Sequence, residues 1–332
     1  MVLILSDEND YSTQQVLNWL MHMNKPFQRL NRTSSVTLVS LCIHDSQPQF
    51  TLKTSEHYLP GQYRLIHSSG ISAYWYRRGY LNLEQQELIP APGDEDIDYR
   101  LKKGINEYLS RENAKVGELL NYHLRSIPHL GSVFDNAVNK FINSLLAGQL
   151  GLLTPKSLIT GSKSAFLSFN QYAGSCIVKS MDRAGFTIEN EIGLGNTTVL
   201  ISPDMIPMMP ERFNLTLFQE FIDKLYDIRA FFLNDRFYTA CILSQSNEQT
   251  RVDFRNYDDV KPNRIVPFQL PEDIEHNLSK LMEILKMKTG SIDLLKDKKG
   301  SYYFLEVNPI GQYGFISERC NFHLDKQIAN EF

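Results

Sequence analysis

The sequence is poor in the features that mark several large protein classes. No apolar run approaches the ~20 residues needed to span a bilayer. The apolar opening, Met1 to Leu5, meets Ser6-Asp7-Glu8 too soon for a secretory signal. Only four cysteines occur (Cys42, Cys176, Cys241 and Cys320), far apart and in no zinc or redox spacing. Each lies in or beside apolar residues, so buried, reduced thiols in a cytoplasmic protein are expected. Neither charge dominates. A net charge of −4 and a pI near 6.1 exclude global attraction to nucleic acid or to an anionic membrane. No internal repeat, low-complexity tract, P-loop or dinucleotide-type glycine pattern is present. None of the eight histidines matches a metal-ligand motif, and no Ser-His-Asp or Cys-His spacing is evident. What remains is a 332-residue chain, long enough for two or three packed domains.

What is there concentrates near the C-terminus, in GSIDLLKDKKGSYYFLEVNPIGQYG from Gly290 to Gly314. Two apolar runs flank Asp297-Lys298-Lys299-Gly300, the pattern of a β-hairpin with a short turn. With those four residues unpaired, Asp293 is expected opposite Phe304 and diagonal to Glu306, with Phe304, Glu306 and Asn308 sharing one face. A turn shorter by one residue would send Asp293 to the other face. Spacing alone leaves a solvated hairpin face open beside a metal site. Glu306 tilts the balance, because a charge inside YYFLEVNPI needs a partner when buried. Asp293, Glu306 and the Asn308 carbonyl oxygen suit a hard cation such as Mg²⁺.

At these residues the chain resembles the ATP-grasp ligases, in which an Asp and then Glu-x-Asn at the end of the last sheet hold the magnesium ions of ATP. Through FLEVNPIGQYG and the opening MVLILSDENDYST it is similar to the peptide-maturing branch. That branch comprises the microviridin-type (graspetide) ligases and, among them, the grasp-with-spasm peptide maturases. The resemblance covers nearly the whole chain. It implies an α/β fold of α+β domains, in three parts, with a nucleotide clamped between two antiparallel-rich sheets. The expected boundaries are 1–125 for an N-terminal α/β domain, 126–216 for a nucleotide lid and 217–332 for the C-terminal domain with the metal site.

In the first part, Val2 to Leu5, Val36 to Ile43, Ser72 to Tyr76 and, more weakly, Phe50 to Leu52 read as strands. A capping box at Ser12-Thr13-Gln14-Gln15 opens a helix carrying Val16, Trp19, Leu20 and Met23. This order predicts a layer with a parallel component. Arg77-Arg78 follows an aromatic strand, and a solvated strand end is its plainer reading. In the resembled ligases an Arg-Arg pair recurs here, so a role near peptide or phosphate stays open. Ala91 to Asp96 is an acidic, proline-containing loop. Leu101 to Ser126 has a helical pattern that Ile127-Pro128 ends.

In the middle, a helix is expected over Asn136 to Leu150 and a strand over Ser175 to Ser180, ending in Lys179. A lysine at a buried strand end calls for an anion. By resemblance Lys140 and Lys179 bind ATP phosphates, although the family's usual Lys-Pro is Lys179-Ser180 here. Glycines from Ala184-Gly185 to Gly195-Asn196 suggest a flap over the phosphates. The resemblance makes Gln219, Glu220, Phe221 and Ile222 the hinge that pairs with adenine. It places Asp227 near the ribose and Arg229 near the phosphates. On their own, Asp227 and Arg229 share a strand face, where an ion pair is the simpler reading. Ala240 to Ser244 and Arg251 to Arg255 read as a hairpin. Arg255 matches the family arginine that neutralises the transferred phosphoryl group, a task suited to a planar guanidinium. A helix with acid in its first turn runs from Leu270 to Met287.

The implied activity uses ATP and Mg²⁺ to activate Asp or Glu side chains of a precursor peptide as acyl phosphates. A Ser or Thr hydroxyl, or a Lys amine, then closes an ω-ester or ω-amide macrocycle. Arg229 and Arg255 are the expected catalytic cations, and the partner is a peptide with a leader and a core rich in Thr, Ser, Asp and Glu. Nucleic acid and membrane are not expected partners; a homodimer is compatible. An amino-acid ligase of the ribosomal-protein-modifying type and a non-catalytic, ATP-sensing peptide-binding module are the alternatives.

Overall fold

A computed structural model describes residues 1–55, 63–85, 99–136, 139–181, 186–188, 192–194, 198–256 and 258–332. The expected acidic loop at 91–96 lies outside them, as do residues 184, 185, 195 and 196 of the glycine segment. The chain forms two compact units, Met1–Ala137 with His323–Phe332, and Val138–Phe322. Among the described residues no helix is long and apolar enough to cross a membrane.

The first unit is built on Val2–Ser6, whose five residues are all buried. It sits inside a parallel sheet in the order Phe27–Asn31, Val2–Ser6, Ala73–Tyr76, His129–Leu130. Phe27–Asn31, absent from the sequence reading, is the strand that helix Tyr11–His22 delivers back to the sheet. Val36–His44 instead joins Gln47–Ser55 and Tyr63–His67 in a separate antiparallel sheet. Its far end runs beyond the core, which leaves Cys42 exposed, whereas the other three cysteines are buried.

The first helix is capped by Asp10, not by the Ser12 box: the carboxylate accepts from Thr13 N at 3.4 Å. The same carboxylate settles the arginine pair. Arg77 Nε and Arg78 Nε reach Asp10 Oδ2 at 3.1 and 3.2 Å, and Arg77 is buried, so this strand end is not solvated. Removing one partner of a buried ion pair strands the other. Asp10→Ala is therefore expected to lower unfolding free energy by about 3–5 kcal/mol, measured by urea denaturation. A loss below about 1 kcal/mol, that of a helix cap alone, would show that the arginines do not depend on it.

Among the described residues the second unit is built mainly on two antiparallel sheets, beside one two-stranded hairpin. The smaller of the two, here the side sheet, has the order Val199–Leu200, Cys176–Lys179, Arg212–Glu220, Ser157–Ser162. Helix Lys163–Ala173 covers one face through Phe166, packed on Cys176 and Phe218. The larger, the core sheet, has the order Arg264–Pro267, Arg236–Leu243, Lys224–Leu233, Thr289–Asp297, Tyr302–Asn308. All its neighbours are antiparallel. Period-two alternation sends Ile228, Ala230, Phe232, Ile292 and Leu294 into a core with Ala147, Leu278, Leu281 and Met282, from helices Lys140–Gln149 and Glu272–Ile284. The intervening residues Asp227, Arg229 and Asp293 are left on the opposite face.

Two expectations fail in the loops. Arg251 to Arg255 is not a strand: Asn247 caps a helical turn, Glu248–Arg251, and Arg264–Pro267 pairs with Arg236–Leu243 instead. The helix expected from Asn136 begins at Lys140, because Asn139 Oδ1 accepts from Phe141 N and Ile142 N and so starts it there.

Candidate functional site

The centre of the second unit is the last hairpin, and its register differs from the simple expectation twice. The ladder ends at Lys296 opposite Tyr302, one residue off the four-residue turn, and a bulge at Leu305 adds a second offset. Phe304 therefore points into the helix-covered core with Leu294, not toward Glu306. The two offsets cancel in parity, so Asp293 and Glu306 share a face and stand directly opposite rather than diagonal.

Arg229, across the sheet from Asp293, donates from Nη1 to Asp293 Oδ1 at 2.5 Å and from Nη2 to Gln312 O at 3.1 Å. The chain passes close by at Gly311, where a Cβ would lie 2.5 Å from Ser291 Cβ. Burial pushes the Asp293 carboxyl above the usual carboxylate range; Arg229 opposes this and Glu306's charge adds to it. Next along the face Asn308 pairs with Ser291, and Asn308 Oδ1 is buried with no hydrogen-bond partner among the described residues. Among the described residues no three His, Cys, Asp or Glu side chains are arranged for a metal. The donor set here is two carboxylates and one orphaned amide oxygen, which fits an oxygen-seeking divalent ion that keeps its own waters.

Asp293 and Glu306 open into a cleft within this unit. Lys179, Gln219, Glu220, Phe221, Ile222, Asp227 and Arg255 also line it. Burial pushes the Lys179 ammonium below the usual lysine range, against the pull of Glu306. Arg255 is held by Asp253 through Nε at 2.9 Å and Nη2 at 2.6 Å. Burial alone would raise the Asp253 pKa, but Arg255's hydrogen bonds and charge outweigh it and hold the group at about 2. Lys140 is outside the lining; its ammonium donates to the carbonyl of Ser180, the residue after Lys179.

The hinge is partly spent within the sheet. Glu220 N donates to Lys156 O and Phe221 N to Ser175 O, while Glu220 Oε2 accepts from Lys156 N. Gln219 Nε2 donates to Ser157 Oγ. Ile222, the last residue of the expected hinge, lines the cleft. Asp227 does not pair with Arg229. Its oxygens accept from Lys224 Nζ at 2.7 Å and Ser244 Oγ at 2.6 Å, all three groups being buried. Sequence reading missed Lys224. An interval of three puts two strand residues on opposite faces, and only the bulge at Leu225 brings Lys224 onto Asp227's side. In the glycine segment, Phe186–Ile188 and Ile192–Leu194 pair as an antiparallel hairpin.

No family model matches the sequence, and a comparison with curated proteins found no match. Solved structures are similar in fold. One is a Chryseobacterium gregarium RiPP-associated ATP-grasp ligase in complex with ADP and a leader and core peptide. It has a TM-score of 0.76 and 19% identity, over 99% of this chain and 94% of that one. A second is the macrocyclase MdnC from Microcystis aeruginosa MRC bound with its precursor peptide MdnA, with a TM-score of 0.73 and 22% identity over 99% and 98% of the two chains. A third is the ATP-grasp ligase PsnB complexed with a phosphomimetic variant of minimal precursor, Mg and ADP. Here the TM-score is 0.68 and the identity 15%, over 99% and 96%. The fold of this chain is the ATP-grasp fold.

Proposed function

We propose that this chain is an ATP-dependent ligase that joins a side-chain carboxylate of a precursor peptide to a hydroxyl of the same peptide, closing a ring. One observation carries the proposal. Two opposed carboxylates, Asp293 and Glu306, share a cleft with two cations, Lys179 and Arg255, on different segments, and the orphaned Asn308 oxygen lies next along the same hairpin face. That is the charge pattern of a site for Mg²⁺ and phosphates. The likeness in fold to ligases and macrocyclases solved with precursor peptides supports the choice of acceptor.

In this proposal Asp293, Glu306 and Asn308 hold Mg²⁺, which would supply charge neutralisation to the phosphates. Arg229 fixes the Asp293 carboxylate, Lys179 and Arg255 balance the transferred phosphoryl group, and Lys140 supports the Lys179 strand end. The hinge of Gln219, Glu220, Phe221 and Ile222 receives adenine, with Asp227, oriented by Lys224, beside the ribose. The peptide carboxylate takes the γ-phosphoryl group, releasing ADP. A Ser or Thr oxygen then attacks the acyl carbon, the phosphate leaves with its bridging oxygen, and the hydroxyl proton is lost. The same proposal includes a leader on the peptide, a core rich in Thr, Ser, Asp and Glu, and action in the cytoplasm. It also includes a lid at 126–216 and a catalytic part at 217–332.

Ring closure removes one water. The purified protein is incubated with ATP, Mg²⁺ and a Thr/Ser/Asp/Glu-rich peptide encoded beside its gene, and intact mass is read. The expected product is lighter by one water per ring and regains that mass in mild alkali, as an ester does. A mass gain would overturn cyclisation in favour of amino-acid addition. An unchanged mass with peptide and ATP both bound would make the chain a binding module.

A further inference from the structure

The loop that carries Arg255 is pinned from both sheets. Lys224 Nζ, on the core sheet, donates to Val252 O at 3.2 Å. Thr198 Oγ1, at the entry to strand Val199–Leu200 of the side sheet, donates to Asp253 Oδ2 at 2.9 Å, and both residues are buried. Asp253 is thus fully engaged. Oδ1 accepts from the Arg255 backbone N–H and Nε, and Oδ2 accepts from Arg255 Nη2 and the Thr198 hydroxyl. The Arg255 side chain remains 45% exposed, so its heading is set by this carboxylate rather than by packing.

We propose that Thr198 is a positioning residue for Arg255. Its hydroxyl fixes the plane of the Asp253 carboxylate and, through it, the direction of the guanidinium in the cleft. The side sheet thereby helps aim a cation carried by a loop of the core sheet. This rests on the assignment of Arg255 to the phosphoryl group made above.

Thr198→Val removes the hydroxyl and keeps the branched shape, Thr198→Ser keeps the hydroxyl, and Thr198→Ala serves where valine perturbs the fold. The direct readout is the Arg255 Nε–Hε resonance in protein carrying isotope-labelled arginine, assigned by its loss in Arg255→Lys. Exchange of that proton with water should be slow in the wild type and in Thr198→Ser. In Thr198→Val it should be at least about tenfold faster, the scale of a lost bond to a charged group. Phosphate release from MgATP should fall about tenfold in kcat with the KM for ATP nearly unchanged. In an Arg255→Ala background, Thr198→Val should cause no further loss, since it acts only through that arginine. Slow exchange in both Thr198→Val and Thr198→Ala would overturn the inference, as would a further proportional loss without Arg255. Full phosphate release by Arg255→Ala would instead overturn the assignment of Arg255, leaving the resonance to judge Thr198 alone.

Discussion

Lys179→Met should lower ATP-dependent turnover by about a hundred- to a thousandfold while leaving the free protein as stable as the wild type, or more so. The opposite directions follow from one fact. Burial already pushes the Lys179 ammonium below its usual range, so in the absence of an anion the charge is a cost to the fold. Methionine fills similar volume without that charge. A bound polyphosphate reverses the sign: a cation in a cleft of low polarity then neutralises charge as it develops, and methionine cannot. The measurement pairs thermal unfolding of the free protein with ADP release in the presence of Mg²⁺ and peptide. Wild-type turnover by a folded Lys179→Met protein would remove the residue from the site. Inactivity accompanied by a large drop in melting temperature would make Lys179 a structural residue.

What could be read in the sequence is what local chemistry determines. Glu306 stood out because a charge inside an apolar run must find a partner, and the structure places it in the cleft opposite Asp293. Lys179 stood out for the same reason at a strand end. Asp227 and Arg229, read as sharing one strand face, do lie on the face of the antiparallel sheet turned away from the helix-covered core, although not as an ion pair. What could not be read depends on register or on distant segments. The bulges at Leu225 and Leu305 carry no signal in the local residue pattern, and each changes which side chains meet. Lys224 was hidden by the first bulge and the direct opposition of Asp293 and Glu306 by the second. Asp10 met Arg77 and Arg78 only because helix Tyr11–His22 starts where the parallel strands end, 67 and 68 residues apart in the chain. Asp253 lay two residues before Arg255 in plain view, but a strand reading of that segment sets the two side by side on one face without folding one back onto the other. Only the loop geometry makes Asp253 a clamp.

Glu306→Gln should shift the Mg²⁺ requirement for turnover upward by at least about tenfold and leave the melting temperature nearly unchanged. Glutamine keeps the size and one acceptor oxygen but loses the charge that makes a carboxylate a strong ligand for a hard cation. In the metal-free protein the carboxylate has offsetting neighbours. It repels Asp293, adding to the rise of that group's pKa, and it attracts Lys179, opposing the fall of that one. Removing the charge therefore gives up an attraction and relieves a repulsion together. A ligand role predicts lost metal affinity at constant stability, whereas a structural ion pair with Lys179 predicts the reverse. Titrating Mg²⁺ at saturating ATP separates these outcomes, provided the free metal concentration is held by a buffer, because ATP itself binds the ion. A parallel titration of Asn308→Ala is informative, since that change deletes the orphaned oxygen without altering charge. If both variants need more Mg²⁺ and both melt like the wild type, the hairpin face is a metal site. An unchanged Mg²⁺ requirement in Glu306→Gln would end the metal assignment, whatever happens to the rate.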